Sequence, residues 1–189
     1  MLYIAHRINT IAELQTIPLE WGVEIDLRDC GKRLILQHDP FKDGEDFEEW
    51  CKEYKHALLI LNIKSEGIEW RVLEICKKYG IENFFFLDSS IPMIMKLIKE
   101  GERRIAVRYS EVEDLNLELV RECQWVWIDC FTKYPDIDRV RSLNTKCCLV
   151  GPALQGHNWA VEDKWRECDA VCDKKYNFEK WILNVKVFK

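Results

Sequence analysis

At 189 residues the chain is sized for one domain with a full core, and 48% hydrophobic with 32% charged residues excludes both a disordered chain and a membrane span. The 28 Lys and Arg are outnumbered by 33 Asp and Glu, for a net charge of −5. With no basic block, the chain is not built to grip a nucleic-acid backbone. Eight Gly and five Pro are too few for an all-β fold of many tight turns. The nine cysteines are odd in number and include no C-x-x-C pair. That argues against a structural zinc site and a thioredoxin-type redox motif, and for reduced thiols in a cytoplasmic protein. The start, Met-Leu-Tyr-Ile-Ala-His-Arg, lacks the pattern of a secretion signal, and no apolar run nears the ~20 residues of a transmembrane segment.

In chain order, residues 2–7 form a short apolar strand, and residues 8–21 space Ile11, Leu14 and Leu19 at helical intervals. Residues 23–28 (VEIDLR) are a second strand, followed by a turn at residues 30–32 and a short strand at 34–38 folding back. Residues 47–54 put Phe47, Trp50, Cys51 and Tyr54 on one helical face. Strands follow at 58–64, 84–88, 105–109, 125–131, 147–150 and 170–172, separated by helices at 69–79, 92–100, 115–122, 136–143 and 159–166. A helix at 178–183 closes the chain. Eight strand-then-helix units predict an α/β fold, a compact (β/α)₈ TIM barrel of parallel strands in one domain over residues 1–189. The alternative, an open doubly wound sheet, is weakened because no Gly-rich phosphate loop follows the first strand.

Such a barrel carries its active site at the C-terminal face of the strands. Those ends are rich in polar residues: His6 and Arg7, then Glu24 and Asp26, then Asn62 and Lys64, and further round Asp88, Arg108, Asp129 and Asp173. The period of two places Glu24 with Asp26 on one face, and Asn62 with Lys64 on one face. Two carboxylates brought together out of water need a cation, and an all-oxygen set of Glu24, Asp26 and Asn62 suits Mg²⁺ or Ca²⁺. Arg7 and Lys64 would hold a phosphate. His6 and His38 sit near one mouth, and imidazoles suit acid–base work at neutral pH.

Each feature has a plainer reading. E-x-D in a strand is common, His38-Asp39-Pro40 is an ordinary turn, and a lone Lys64 is a surface lysine. Asn62 could cap backbone groups. His56 reads as surface, and His157 as chemically idle. Arg108, Asp88, Asp129 and Asp173 serve as readily as rim ion pairs as substrate contacts. The joint order of HR, E-x-D, HD and N-x-K on consecutive units is what favours a site.

That order resembles the glycerophosphodiester phosphodiesterase family, within the wider set of phospholipase-C-like phosphodiesterase barrels. The resemblance rests on IAHR at residues 4–7, GVEIDLR at 22–28, LILQHDP at 34–40 and the lysine of LNIK at 61–64, with CDAVCDK similar to the family's closing strand. It implies that His6 and His38 are the general acid and base, that Arg7 and Lys64 contact the phosphate, and that Glu24 and Asp26 bind a divalent metal. It implies a substrate hydroxyl attacking phosphorus, with water later opening a cyclic phosphate. The expected partner is a small-molecule phosphodiester, with Arg108 and Asp129 as candidate substrate contacts. Three departures stand out. The family's HRG is His6-Arg7-Ile8, with Asn9-Thr10 a remnant of the following P-E-N-T. The third carboxylate, from E-x-K, is Asn62. The larger insertion that many members carry after the second His is absent between His38 and the helix at Phe47. The Asn62 departure keeps open a barrel that binds a phosphate ligand or a metal without turnover; a third reading is a Schiff-base enzyme using Lys64.

Overall fold

The computed structural model describes residues 1–182; the last position of the expected closing helix, Leu183, lies outside them. The chain folds as a mixed α/β structure around one ten-stranded sheet. The elements are β1 (Leu2–Ala5), α1 (Ile11–Leu14), β2 (Gly22–Cys30), β3 (Arg33–Leu36), β4 (Glu45–Asp46), α2 (Phe47–Glu53), β5 (Leu59–Ile63), α3 (Glu69–Lys78), β6 (Phe84–Leu87) and α4 (Ile91–Lys99). After them come β7 (Ala106–Tyr109), α5 (Leu117–Glu122), β8 (Trp125–Ile128), α6 (Ile137–Arg141), β9 (Lys146–Val150), β10 (Ala170–Asp173) and α7 (Phe178–Ile182).

Parallel ladders join β10 to β1, β1 to β2, β2 to β5 and β5 to β6 on one side, and β7 to β8, β8 to β9 and β9 to β10 on the other. The ring the sequence predicts is interrupted at one seam. Between β6 and β7 stand a single parallel bridge, Phe86 to Ile105, and a 2.9 Å hydrogen bond from the Phe86 N–H to the Arg104 carbonyl. β6 ends at Leu87, and the following Asp88, with a φ of 62°, leaves the extended path. The far half of β2 leaves the ring. It pairs antiparallel with β3 from Leu27–Leu36 to Cys30–Arg33, and β3 in turn pairs with β4.

Strand alternation sorts the apolar residues into two clusters on opposite faces. Val23, Ile25 and Leu27 of β2 join Leu59, Leu61 and Phe86 in the larger cluster under the helices. Ile4, Ile60, Phe85, Trp125, Trp127, Cys148 and Cys172 form the smaller one, with the Phe85 and Trp125 rings stacked at 4.7 Å. Glu24 and Asp26 alternate with the helix-facing residues of β2, so they share the face of this inner cluster.

The helices are short, and five of them start on side-chain caps. Thr10 and Glu13 form a capping box on α1, and Asp46, Ser90, Asn116 and Asp136 cap α2, α4, α5 and α6. Each such cap stabilises by roughly 1 kcal/mol. Two helical expectations are corrected. Residues 8–21 hold only the single turn of α1, because Pro18 and the polar Thr10 bracket the run. Residues 159–166 are not an α-helix; the segment between β9 and β10 contains only 3₁₀ turns at Pro152–Gln155 and Asp163–Glu167. No helix of the described residues is long and apolar enough to cross a membrane.

Candidate active site

The first half of the sheet brings the sequence-predicted polar residues together at its C-terminal rim. Glu24 and Asp26 are both fully buried. Glu24 Oε2 accepts the Arg7 N–H at 2.7 Å and lies 3.8 Å from His6 Nε2. Glu24 Oε1 accepts the Asn62 amide Nδ2 at 2.7 Å. Asp26 faces two cations, Arg7 Nε at 3.6 Å and Lys64 Nζ at 3.8 Å. The β2–β5 register sets Asp26 directly opposite Asn62, which fixes this meeting.

Burial, and then the neighbouring Asp26, push the Glu24 carboxyl up to about 7, against the opposing hydrogen bonds from Asn62 and Arg7. The His6 ring is pushed down to about 3, first by burial and then by the charges of Arg7, Lys174, Lys64 and His38. It is therefore neutral at physiological pH. His38 stands on the loop after β3, with Nδ1 2.8 Å from Asp39 Oδ1. The hydrogen bond from His38, then that from Lys42, hold the Asp39 carboxyl down to about 2, so a carboxylate orients this ring.

Arg7 carries a φ of 56°, a left-handed backbone that costs a non-glycine residue about 1 kcal/mol or more. Glu24 holds it there from both sides, through its side chain to the Arg7 N–H and through its carbonyl to the Ile8 N–H at 2.8 Å.

The second half of the rim is occupied differently. Lys64 Nζ donates to Asp88 at 3.2 Å, Asp88 also pairs with Arg108, and Arg108 pairs with Asp129. Burial alone would raise the Asp88 carboxyl, but Arg108 and Lys64 hold it low. Arg7, Asp26, Lys64, Asp88, Arg108 and Asp129 thus form a chain of alternating charge around β1, β2, β5, β6, β7 and β8. Asp129 also accepts from Gln155 Nε2 at 2.7 Å, so Arg108 and Asp129 are tied to the protein itself. Asp173 is likewise internal, accepting from Asn177 Nδ2 at 2.9 Å and Trp181 Nε1 at 3.1 Å. His56 is buried rather than at the surface, with Nε2 3.1 Å from the Ile17 carbonyl. His157 braces a loop from outside the rim, 2.9 Å from the Phe131 carbonyl.

Three residues that lie within the motifs, but to which the sequence reading assigned no role, complete the site. Asn9 grips Asp26 reciprocally, Nδ2 donating to Oδ2 and Oδ1 accepting the Asp26 N–H, both at 2.9 Å. Arg28 donates to the His38 carbonyl at 2.9 and 3.1 Å and to the Lys64 carbonyl at 2.9 Å, binding the two strand-end segments to each other. Its signal was the same parity as Glu24 and Asp26. Lys174, the residue after β10, joins His6, Arg7, Lys175, Tyr176 and Leu154 around a cavity of about 450 Å³.

Among the described residues no group of three His, Cys, Asp or Glu side chains is placed to hold a metal ion. The donor set is instead two carboxylates and an amide. Asp26 Oδ1 and Asn62 Oδ1 are buried without a hydrogen-bond partner, beside an acid pair whose Glu24 member burial and Asp26 push up. Two orphaned oxygens beside an ionisable acid pair fit a hard divalent cation, with the amide contributing no charge.

No family model matches the chain, and no curated protein matches it. Among solved structures it is similar to the crystal structure of a glycerophosphodiester phosphodiesterase from Agrobacterium tumefaciens, with a TM-score of 0.61 and 12% sequence identity. The match covers 92% of this chain and 95% of that one, so the likeness is one of whole folds.

Proposed function

We propose that the protein is a phosphoric diester hydrolase acting at the C-terminal rim of a (β/α)₈ barrel whose seam lies between β6 and β7. The observation that carries this reading is the Glu24–Asp26 pair, buried between a neutral imidazole and the Arg7 and Lys64 cations. Arg7 and Lys64 would bind the phosphate oxygens; Arg7 Nε stands 3.6 Å from Asp26, and Lys64, which gives one N–H to Asp88, has two further N–H groups for a phosphate. Neutral His6 has an unprotonated ring nitrogen to accept the proton of an attacking hydroxyl, and a bound phosphate anion, offsetting the Arg7, Lys174 and Lys64 charges that push the ring down, would raise its basicity towards that task. His38, backed by the Asp39 carboxylate, is suited to donate one to the departing alkoxide.

In the first step a substrate hydroxyl forms the new P–O bond, its proton passes to His6, and the P–O bond to the leaving alcohol breaks as His38 protonates that oxygen. In the second step water opens the resulting cyclic phosphate with the two histidines exchanging roles. Glu24, Asp26 and Asn62 would hold Mg²⁺ or Ca²⁺, which when bound would neutralise charge on the phosphoryl oxygens.

A second reading, phosphate-ligand binding without turnover, is favoured by one observation: Asn62 donates its amide to Glu24 where a third carboxylate would add charge. Alcohol release from glycerophosphodiesters and soluble aryl diesters, with Mg²⁺ or Ca²⁺, separates the two. Activity abolished in both His6→Ala and His38→Ala supports the hydrolase. Binding of a diester by calorimetry without product refutes it and supports the second reading. The Schiff-base alternative is disfavoured because Lys64 is engaged by Asp88 and Asp26.

A further inference from the structure

The chain is acidic overall, at −5, yet one cavity beside His6 gathers cations. This cavity of about 450 Å³ lies where the connection after β1 meets the connection after β10, and Arg7, Lys174 and Lys175 line it against one acid, Glu13. Like charges gathered around one cavity repel one another, and an anion seated among them relieves the repulsion.

The acids that could neutralise these lysines are committed elsewhere. Asp173 accepts the Lys174 N–H at 2.7 Å, together with the bonds from Asn177 and Trp181. Glu13 Oε2 accepts the Thr10 N–H and hydroxyl at 3.1 and 2.9 Å, as the return arm of the α1 capping box. Among the described residues Lys174 pairs with no carboxylate. Lys175 Nζ donates to the Thr16 hydroxyl at 3.0 Å instead of to an acid. The backbone under both lysines is nonetheless held. The Lys174 carbonyl accepts the Asn177 N–H at 2.8 Å, and Lys175 opens the 3₁₀ turn Lys175–Asn177 that follows β10.

Position assigns an anion bound here to one part of a substrate. β1 lies between β10 and β2 in the sheet. Lys174 and Lys175 therefore stand on one side of His6, and His38, after the strand that pairs with β2, stands on the other. In the reaction proposed above, His6 takes the proton of the attacking hydroxyl, so the alcohol that attacks and keeps the phosphate lies on the lysine side. We propose that Lys174 and Lys175 form a second anion subsite, and that the substrate is a phosphodiester whose attacking alcohol bears a further anionic group, a phosphomonoester or a carboxylate. The subsite stands on the cavity alone; the substrate class rests on the hydrolase reading. The retained product then carries two anionic groups, and the alcohol released on the His38 side carries neither.

Calorimetry with propanediol bisphosphate and with propyl phosphate tests the subsite without turnover. The bisphosphate should bind at least about tenfold tighter at low salt, an advantage that shrinks as salt rises. Lys174→Gln combined with Lys175→Gln should remove that advantage. Glu13→Gln should enlarge it, because glutamine can still close the capping box while the acid of the cavity is gone. Equal affinity for the two probes, an advantage that survives the double lysine variant, or no gain in Glu13→Gln overturns the subsite. The substrate class is tested with nitrophenyl diesters of glycerol phosphate whose terminal hydroxyl is free, phosphorylated or oxidised to a carboxylate. At least one anionic diester should show kcat/KM about tenfold or more above the free one, with the preference lost in the double variant. Equal turnover of all three removes the substrate class and leaves the hydrolase. A protein that shows the bisphosphate advantage but cleaves no diester keeps the subsite and removes the hydrolase.

Discussion

Glu24→Gln isolates the electrostatics of the buried acid pair. In the wild type the Glu24 carboxyl is raised from 4.5 to about 7. The folded state therefore holds a proton that the unfolded state releases. This contribution is full below pH 4.5 and is lost as pH rises to 7, by about 3 kcal/mol. His6 works in the opposite direction. Its folded value of about 3 lies below the ordinary 6.5, so the unfolded chain binds the extra proton, and stability rises with pH between 3 and 6.5. Between pH 4.5 and 6.5 the two nearly cancel in wild type. In Glu24→Gln only the His6 contribution remains, giving a gain of about 1.4 kcal/mol per pH unit over that window. The substitution fits locally: the glutamine side-chain oxygen can still accept the Arg7 N–H, and a flip of Asn62 would let its unpartnered Oδ1 accept the new amide. Urea unfolding with EDTA, followed by tryptophan fluorescence from pH 4 to 8, measures the difference. A gap between variant and wild type that does not widen with pH would refute the account of a strained acid pair.

Arg28→Ala removes three hydrogen bonds that join the His38 and Lys64 segments, and a displacement of about 1 Å at a reacting group can cost up to a hundredfold. We expect kcat on a soluble diester to fall at least about tenfold, with less change in KM. Gly151→Ala would drive a methyl into the Asp173 carboxylate, which is fixed by Asn177 and Trp181, and should destabilise by about 1–3 kcal/mol in urea titrations. Desolvation would raise Glu111, but its hydrogen bonds to Thr132 and Lys133 bring it down to about 2. The anchoring of this loop is thus complete above pH 4.5 and lost as pH falls towards 2, so the Thr132 amide resonance should move in that window and stay fixed in Glu111→Gln.

Strand order and the first rim residues were legible because both are periodic. Alternation along β2 and β5 put Glu24, Asp26, Asn62 and Lys64 on one face, and one register then brought them together. The second half of the rim carried the same residue types without that result: Arg108 is shared between Asp88 and Asp129. A strand-end charge read from sequence does not reveal its partner. Asn9 and Arg28 were missed for a related reason, since their work is done on groups 17 and 36 residues away. The residues at 159–166 look helical by composition, but the loop is organised by Trp159 and Trp165 packing on Tyr134, at 5.9 and 4.6 Å. Tertiary contact overrides local preference there.

The alternating charges along the rim also link the arrival of two kinds of ligand. Arg7 and Lys64 each compensate Asp26, so an incoming anion that draws them outward leaves this acid more exposed to a positive guest. By thermodynamic reciprocity, a cation settled on the acids frees the same two side chains for the anion. Affinity for either ligand measured alone would therefore understate affinity in the presence of the other, a positive cooperativity built into three side chains.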